Sequence, residues 1–271
     1  MCSSDLIRIK YNKNKNHMRE NNSRHTRVKP IFDKISSNND WLNSLLKYAL
    51  NKYNVDPPIC GRIIEQYWGD KEKTINAPHE YIDWLICNYN KLNKTSLKSE
   101  KTEINETNRL RKDLISGNEF VFRRAKYSIS NKKYDNWCLF EGKTNFDIFI
   151  ETENFFLIAE GKRTEVGRTK NTKWSNERDQ MIRNIDCLFS YNPLKPIYAF
   201  YILEADKDGN LMNNWSKDIS FYKDKNNFEK SLPHRSSIEI EIIYKSYIGF
   251  LTWQELMVFF NINPLEILQI N

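Results

Sequence analysis

Asp147, Glu160 and Lys162 are the residues whose types and spacing could do chemistry, and all three lie in one run, DIFIETENFFLIAEGK, from 147 to 162. Two carboxylates on one side of a structure hold a hard divalent cation through oxygen, most naturally Mg²⁺, or Mn²⁺ in its place. Such a cation polarises a phosphoryl oxygen and lowers the pKa of a bound water. An ammonium beside it orients or deprotonates the attacking water, or steadies the charge that builds on phosphorus. Together these are the parts of a phosphodiester hydrolase. A strand that simply runs out into solvent would carry the same residues.

What decides between the two readings is how the flanking elements place the side chains. FDIFI (146–150) and FFLIA (155–159) read as strands, in which side chains alternate between faces. Glu160 and Lys162 share a face if the second strand continues through Gly161. A two-residue loop at Thr152-Glu153 pairs Ile150 with Phe155 and sets Asp147 opposite Ile158. Glu160 is then its diagonal neighbour on the same face, roughly 7–8 Å away. A loop longer or shorter by one residue would send the carboxylates to opposite faces.

The surrounding order is a helix at 105–126, strands at WCLF (137–140), 146–150 and 155–159, a helix at 175–189, and a strand IYAFYIL at 197–203. With these residues and this order the chain resembles the PD-(D/E)xK nuclease superfamily, over about residues 105–205. In that family the aspartate lies on the second strand and the acid-x-lysine ends the third. Phe146 stands where the family usually has proline. The resemblance implies an α/β restriction-endonuclease-like core, with a central mixed sheet flanked by helices. It also implies Mg²⁺- or Mn²⁺-dependent hydrolysis of DNA, with Asp147 and Glu160 as metal ligands and Lys162 at the nucleophile. A role in restriction or phage defence and cutting as a homodimer follow from the family alone. A non-catalytic nucleic-acid-binding protein on the same fold is the alternative.

In SNERDQMIRNID, Glu177, Gln180 and Asn184 share one helical face and Met181, Ile185 and Leu188 another. Gln180 is the support candidate and Arg183 a phosphate contact. Glu141, at the end of the first strand, is a candidate third metal carboxylate, with Glu106 behind it. Lys143, Arg163, Arg168, Lys170, Lys173 and Trp174 are candidates to line a nucleic-acid groove.

The 271 residues carry a formal charge of +7, which suits a polyanionic partner. Four scattered histidines argue against a zinc or HNH-type site, and there is no P-loop, GxGxxG or GxSxG, so no nucleotide cofactor is expected. Five widely spaced cysteines without a CxxC pair, and no apolar run of membrane-spanning length, point to a cytoplasmic protein with no membrane partner. Three regions are expected: a basic flexible arm at 1–36, a helical subdomain at 37–95 with a short second helix at 59–68, and the nuclease-like domain at 100–271. A polar linker, 94–103, separates the last two.

Overall fold

A computed structural model describes residues 23–92, 106–131, 140–170 and 175–268. Their centre is a five-stranded mixed sheet in the order β1 (Ile63–Trp68), β4 (Ile148–Thr152), β5 (Phe156–Gly161), β6 (Ile197–Leu203) and β7 (Tyr247–Thr252). β1, β4 and β5 run antiparallel to their neighbours in turn, whereas β5, β6 and β7 are parallel. β4, β5 and β6 are the inner strands and nearly continuous in apolar residues, as strands covered on both faces must be.

Each face buries its own cluster. Ile148, Ile150, Leu157, Ala159 and Ile202 meet α1 (Arg24–Val28), α2 (Lys29–Ile35), α3 (Trp41–Asn51) and α11 (Trp253–Phe259). Phe149, Phe156, Ile158 and Tyr201 meet α7 (Gln180–Tyr191), α8 (Trp215–Ser220), α9 (Lys225–Ser231) and α10 (Ser237–Ser246). Asp179 caps α7 by accepting from the Met181 and Ile182 amides, so the helix starts later than 175. A third cluster joins α4 (His79–Cys87), α5 (Glu106–Ile115) and α6 (Glu119–Ser130). Gly117, at φ +88, separates α5 from α6 where one helix was expected.

Three expectations are corrected. Residues 59–68 are not a helix: Ile63–Trp68 form β1, which lies antiparallel along β4 in the place expected for WCLF. The span 37–95 therefore supplies a strand of the central sheet as well as helices. Phe140 lies in a bend, and 137–139 fall outside the described residues. Residues 24–35 are not a solvated arm either, because Val28, Ile31, Phe32 and Ile35 are buried at helical spacing. Residues 1–22 and the linker at 94–103 are outside the described residues.

β1 ends at Trp68, paired with Ile148 at the start of β4. The chain thus leaves the sheet after Trp68 and rejoins it at the Asp147 end. A two-stranded stalk, β2 (Thr74–Ile75) with β3 (Thr144–Asn145), closes the base of this excursion.

Candidate active site

The hairpin turns one residue later than expected. The Thr152 hydroxyl accepts from the amides of Asn154 and Phe155, at 3.2 and 3.1 Å, and shifts the two-residue loop to Glu153-Asn154. Ile148 then faces Ala159 as the last pair of the ladder, and Asp147, in the bend just before β4, adjoins Glu160 and raises its carboxyl. Moving the loop by one position on both strands preserves parity, so the two carboxylates still share a face.

Gly161 between the acid and the lysine is a packing requirement. A Cβ there would come within 2.7 Å of Val28 Cγ2 and 2.8 Å of Trp253 Cζ2. With only hydrogen on that side, α1 and α11 close over the strand, and the Gly161 amide donates to Asp147 Oδ2 at 3.1 Å. The Lys162 amide continues the strand by donating to Ile202 O, at 2.8 Å, which keeps Lys162 on the face of Glu160.

Glu160 is 2% exposed and held from α7 by two amides. Gln180 Nε2 donates to Oε2 at 3.0 Å and Asn184 Nδ2 to Oε1 at 2.6 Å. The buried Thr144 hydroxyl donates in turn to Asn184 Oδ1, fixing that amide's orientation. Lys162 Nζ donates to Gln180 Oε1 at 3.3 Å and lies 3.5 Å from Glu160 Oε2. Gln180 therefore joins the acid and the lysine into one rigid unit.

Charge is unevenly met here. Burial, and then Asp147, push the Glu160 carboxyl up to about 8 against the pull of Lys162 and Arg183. Burial lowers Lys162, but Glu160, Asp147 and Glu165 outweigh it and the ammonium is held above its ordinary value. Each Glu160 oxygen accepts one amide hydrogen and keeps a lone pair. A hard cation against Asp147 and Glu160 would satisfy both oxygens and relieve the repulsion that raises Glu160. Among the described residues no three His, Cys, Asp or Glu side chains gather closely enough to enclose a metal. Two carboxylates with the remaining positions left to water is nevertheless how Mg²⁺ is commonly held.

The other candidates scatter. Glu141 is not at this site: its carboxylate takes Arg178 Nε at 3.2 Å and Nη2 at 3.0 Å, inside a buried ion cluster. Arg178 also reaches Asp186 at 2.8 Å, and Asp186 is met by Arg235 at 2.7 Å and His234 at 3.1 Å. Arg163 lies on the other side, within range of the Arg27–Glu204 pair. Burial first, then Arg27, lower its pKa. Arg168 is committed to the fold, 3.0 Å from Asp179 and stacked on Phe221. Lys170 reaches Asp218, at 4.0 Å. Glu177 is exposed ahead of α7 and Lys143 is exposed. Arg183 does lie near Glu160, and its buried Nε has no hydrogen-bond partner among the described residues. Lys173, Trp174 and the Glu106 side chain lie outside the described residues.

One neighbour had no signal in the sequence. Arg24, the first residue of α1, pairs with Glu72 and lies 3.8 Å from Asp147 Oδ1. Glu72 sits in the polar loop after β1, and nothing in its local pattern distinguishes it from a solvated charge.

No helix among the described residues is long and apolar enough to cross a membrane. Compared with family models, with curated proteins and with solved structures, the chain matches none of them.

Proposed function

We propose that the protein is a divalent-metal-dependent DNA endonuclease, a phosphodiester hydrolase on a restriction-endonuclease-like core. The observation that carries this reading is the approach of Asp147, just before β4, to Glu160 at the end of β5, with Lys162 tied to Glu160 through Gln180. The strand order supports it as well: three antiparallel strands followed by a helix and a parallel strand, with β1 in the first place. The first strand is separated from the second by an insertion of about 80 residues, which is why the local order alone could not find it.

Asp147 and Glu160 would hold Mg²⁺ or Mn²⁺, and the metal when bound supplies Lewis-acid polarisation and charge neutralisation at the phosphoryl group. The protein's own share is positional. Asn184 and Thr144 fix Glu160, and Gln180 sets Lys162 Nζ at a constant distance from it, where its positive charge can orient a water or stabilise a developing oxyanion. Arg183, whose Nε has no hydrogen-bond partner among the described residues, would be the residue to meet a phosphate.

A supercoiled-plasmid nicking assay tests the reading, run with Mg²⁺, with Mn²⁺ and with chelator, beside Lys162→Ala. Cleavage that requires the metal and fails in the variant is expected. Equal cleavage by both proteins would remove the lysine's role. No cleavage under any condition would leave a non-catalytic nucleic-acid-binding protein on this fold.

A further inference from the structure

The insertion that leaves and rejoins the sheet at the Asp147 end carries an exposed helical face. α6 buries Val121, Ala125 and Ile129 and turns Phe120, Arg123, Arg124 and Tyr127 outward. Phe120 is 75% and Tyr127 70% exposed. Two aromatic rings this bare on one helical stripe, at i and i+7, lose packing energy that a folded chain normally collects. Between them, at i+3 and i+4, stand two arginines. Arg123 pairs with Glu119 on the same helix, at 2.5 Å, both side chains largely exposed, an arrangement of small energetic weight. Residues 106–131 hold six Lys and Arg against three Asp and Glu, a local charge of +3.

We infer that the Phe120–Arg123–Arg124–Tyr127 stripe of α6 is a binding surface for single-stranded nucleic acid. Unpaired bases offer open π-faces for the two rings, and phosphates meet the guanidinium groups between them. The spacing suits this: seven residues advance about 10.5 Å along a helix, roughly three base-stacking steps of 3.4 Å. A second copy of the chain fits the stripe badly. A two-fold contact would set four arginines and two like-charged units against each other. The inference rests on the hydrolase reading only for the choice of nucleic acid as partner; the excursion's return at Asp147 places the stripe on the unit appended to the reactive end of the sheet.

The test is fluorescence anisotropy with labelled oligo(dT) in chelator, so that cleavage plays no part, using the full chain. Wild type, the Phe120→Ala/Tyr127→Ala double variant and the conservative Phe120→Tyr/Tyr127→Phe pair are compared, with thermal melting to check folding and sedimentation to follow self-association. The double alanine variant is expected to bind oligo(dT) roughly 30-fold more weakly, with unchanged melting, while the conservative pair binds like wild type. Unchanged binding by the double alanine variant, or absence of binding by wild type, overturns the inference. So does a dimer that the double alanine variant dissolves, since that assigns the stripe to self-association. Stripe-dependent binding without any metal-dependent nicking would overturn the hydrolase reading and leave this one standing.

Discussion

Helix α7 braces two sets of buried carboxylates, and they are built to opposite charge balance. Toward one side Gln180 and Asn184 hold Glu160, which faces Asp147 with Lys162 as its close cation. Toward the other, Asp186 and the preceding Arg178 join Glu141, Arg235 and His234. In the second cluster burial would raise Asp186, yet Arg178, His234 and Arg235 together hold it well below the usual carboxylate range. In the first, burial wins and Glu160 is pushed up to about 8. A cluster whose charges are matched within the protein is complete as it stands, and its work is to hold α7, the segment around His234 and, through Arg178 over the Tyr81 ring at 3.9 Å, the inserted unit together. A carboxyl raised by burial and then by a second carboxylate has a use for a cation from outside.

The contrast can be broken in four ways, the largest effect first. Arg178→Ala should cost about 3–5 kcal/mol in urea unfolding, because it strands Glu141 and Asp186 without a counter-charge; a loss under 1 kcal/mol would show that the cluster is not a structural clamp. Asp147→Asn should lower metal-dependent nicking at least about 100-fold while leaving the melting temperature at or above that of wild type. A nicking rate within a few-fold of wild type would detach Asp147 from the chemistry. Gln180→Ala should slow nicking about tenfold by freeing Lys162 from Glu160, and a melting temperature that falls in parallel would recast Gln180 as structural. The smallest effect is a slope. With its carboxyl raised from 4.5, Glu160 contributes stability below the unfolded value that is lost as pH rises toward about 8. Metal-free wild type should therefore melt lower as pH climbs across that window, and Glu160→Gln should flatten the dependence. Identical slopes in the two proteins would deny Glu160 its strained state.

Much of this site was legible because it is local. The hairpin, the strand after it and the amphipathic helix between them all follow from short-range periodicity, and parity survived a turn that the Thr152 hydroxyl displaced by one residue. What escaped depends on distant partners. IIEQYW becomes β1 only because Ile148–Thr152 accepts it from across the insertion, and its half-exposed pattern gave little to read. Glu141 was expected near the metal, but Arg178 arrives 37 residues later and claims it. The buried spacing of Val28, Ile31, Phe32 and Ile35 was hidden by the Lys and Asn around it, so α1, α2 and Arg24's approach to Asp147 were read as a solvated arm.

The central claim is that Asp147 and Glu160 act as one cation site, and calorimetric titration of the metal-free protein with Mn²⁺ tests it most directly. Binding of Mn²⁺ by wild type that is lost in both Asp147→Asn and Glu160→Gln, and kept by Arg178→Lys, is the predicted result. Titration curves that either carboxylate variant leaves unchanged would contradict it.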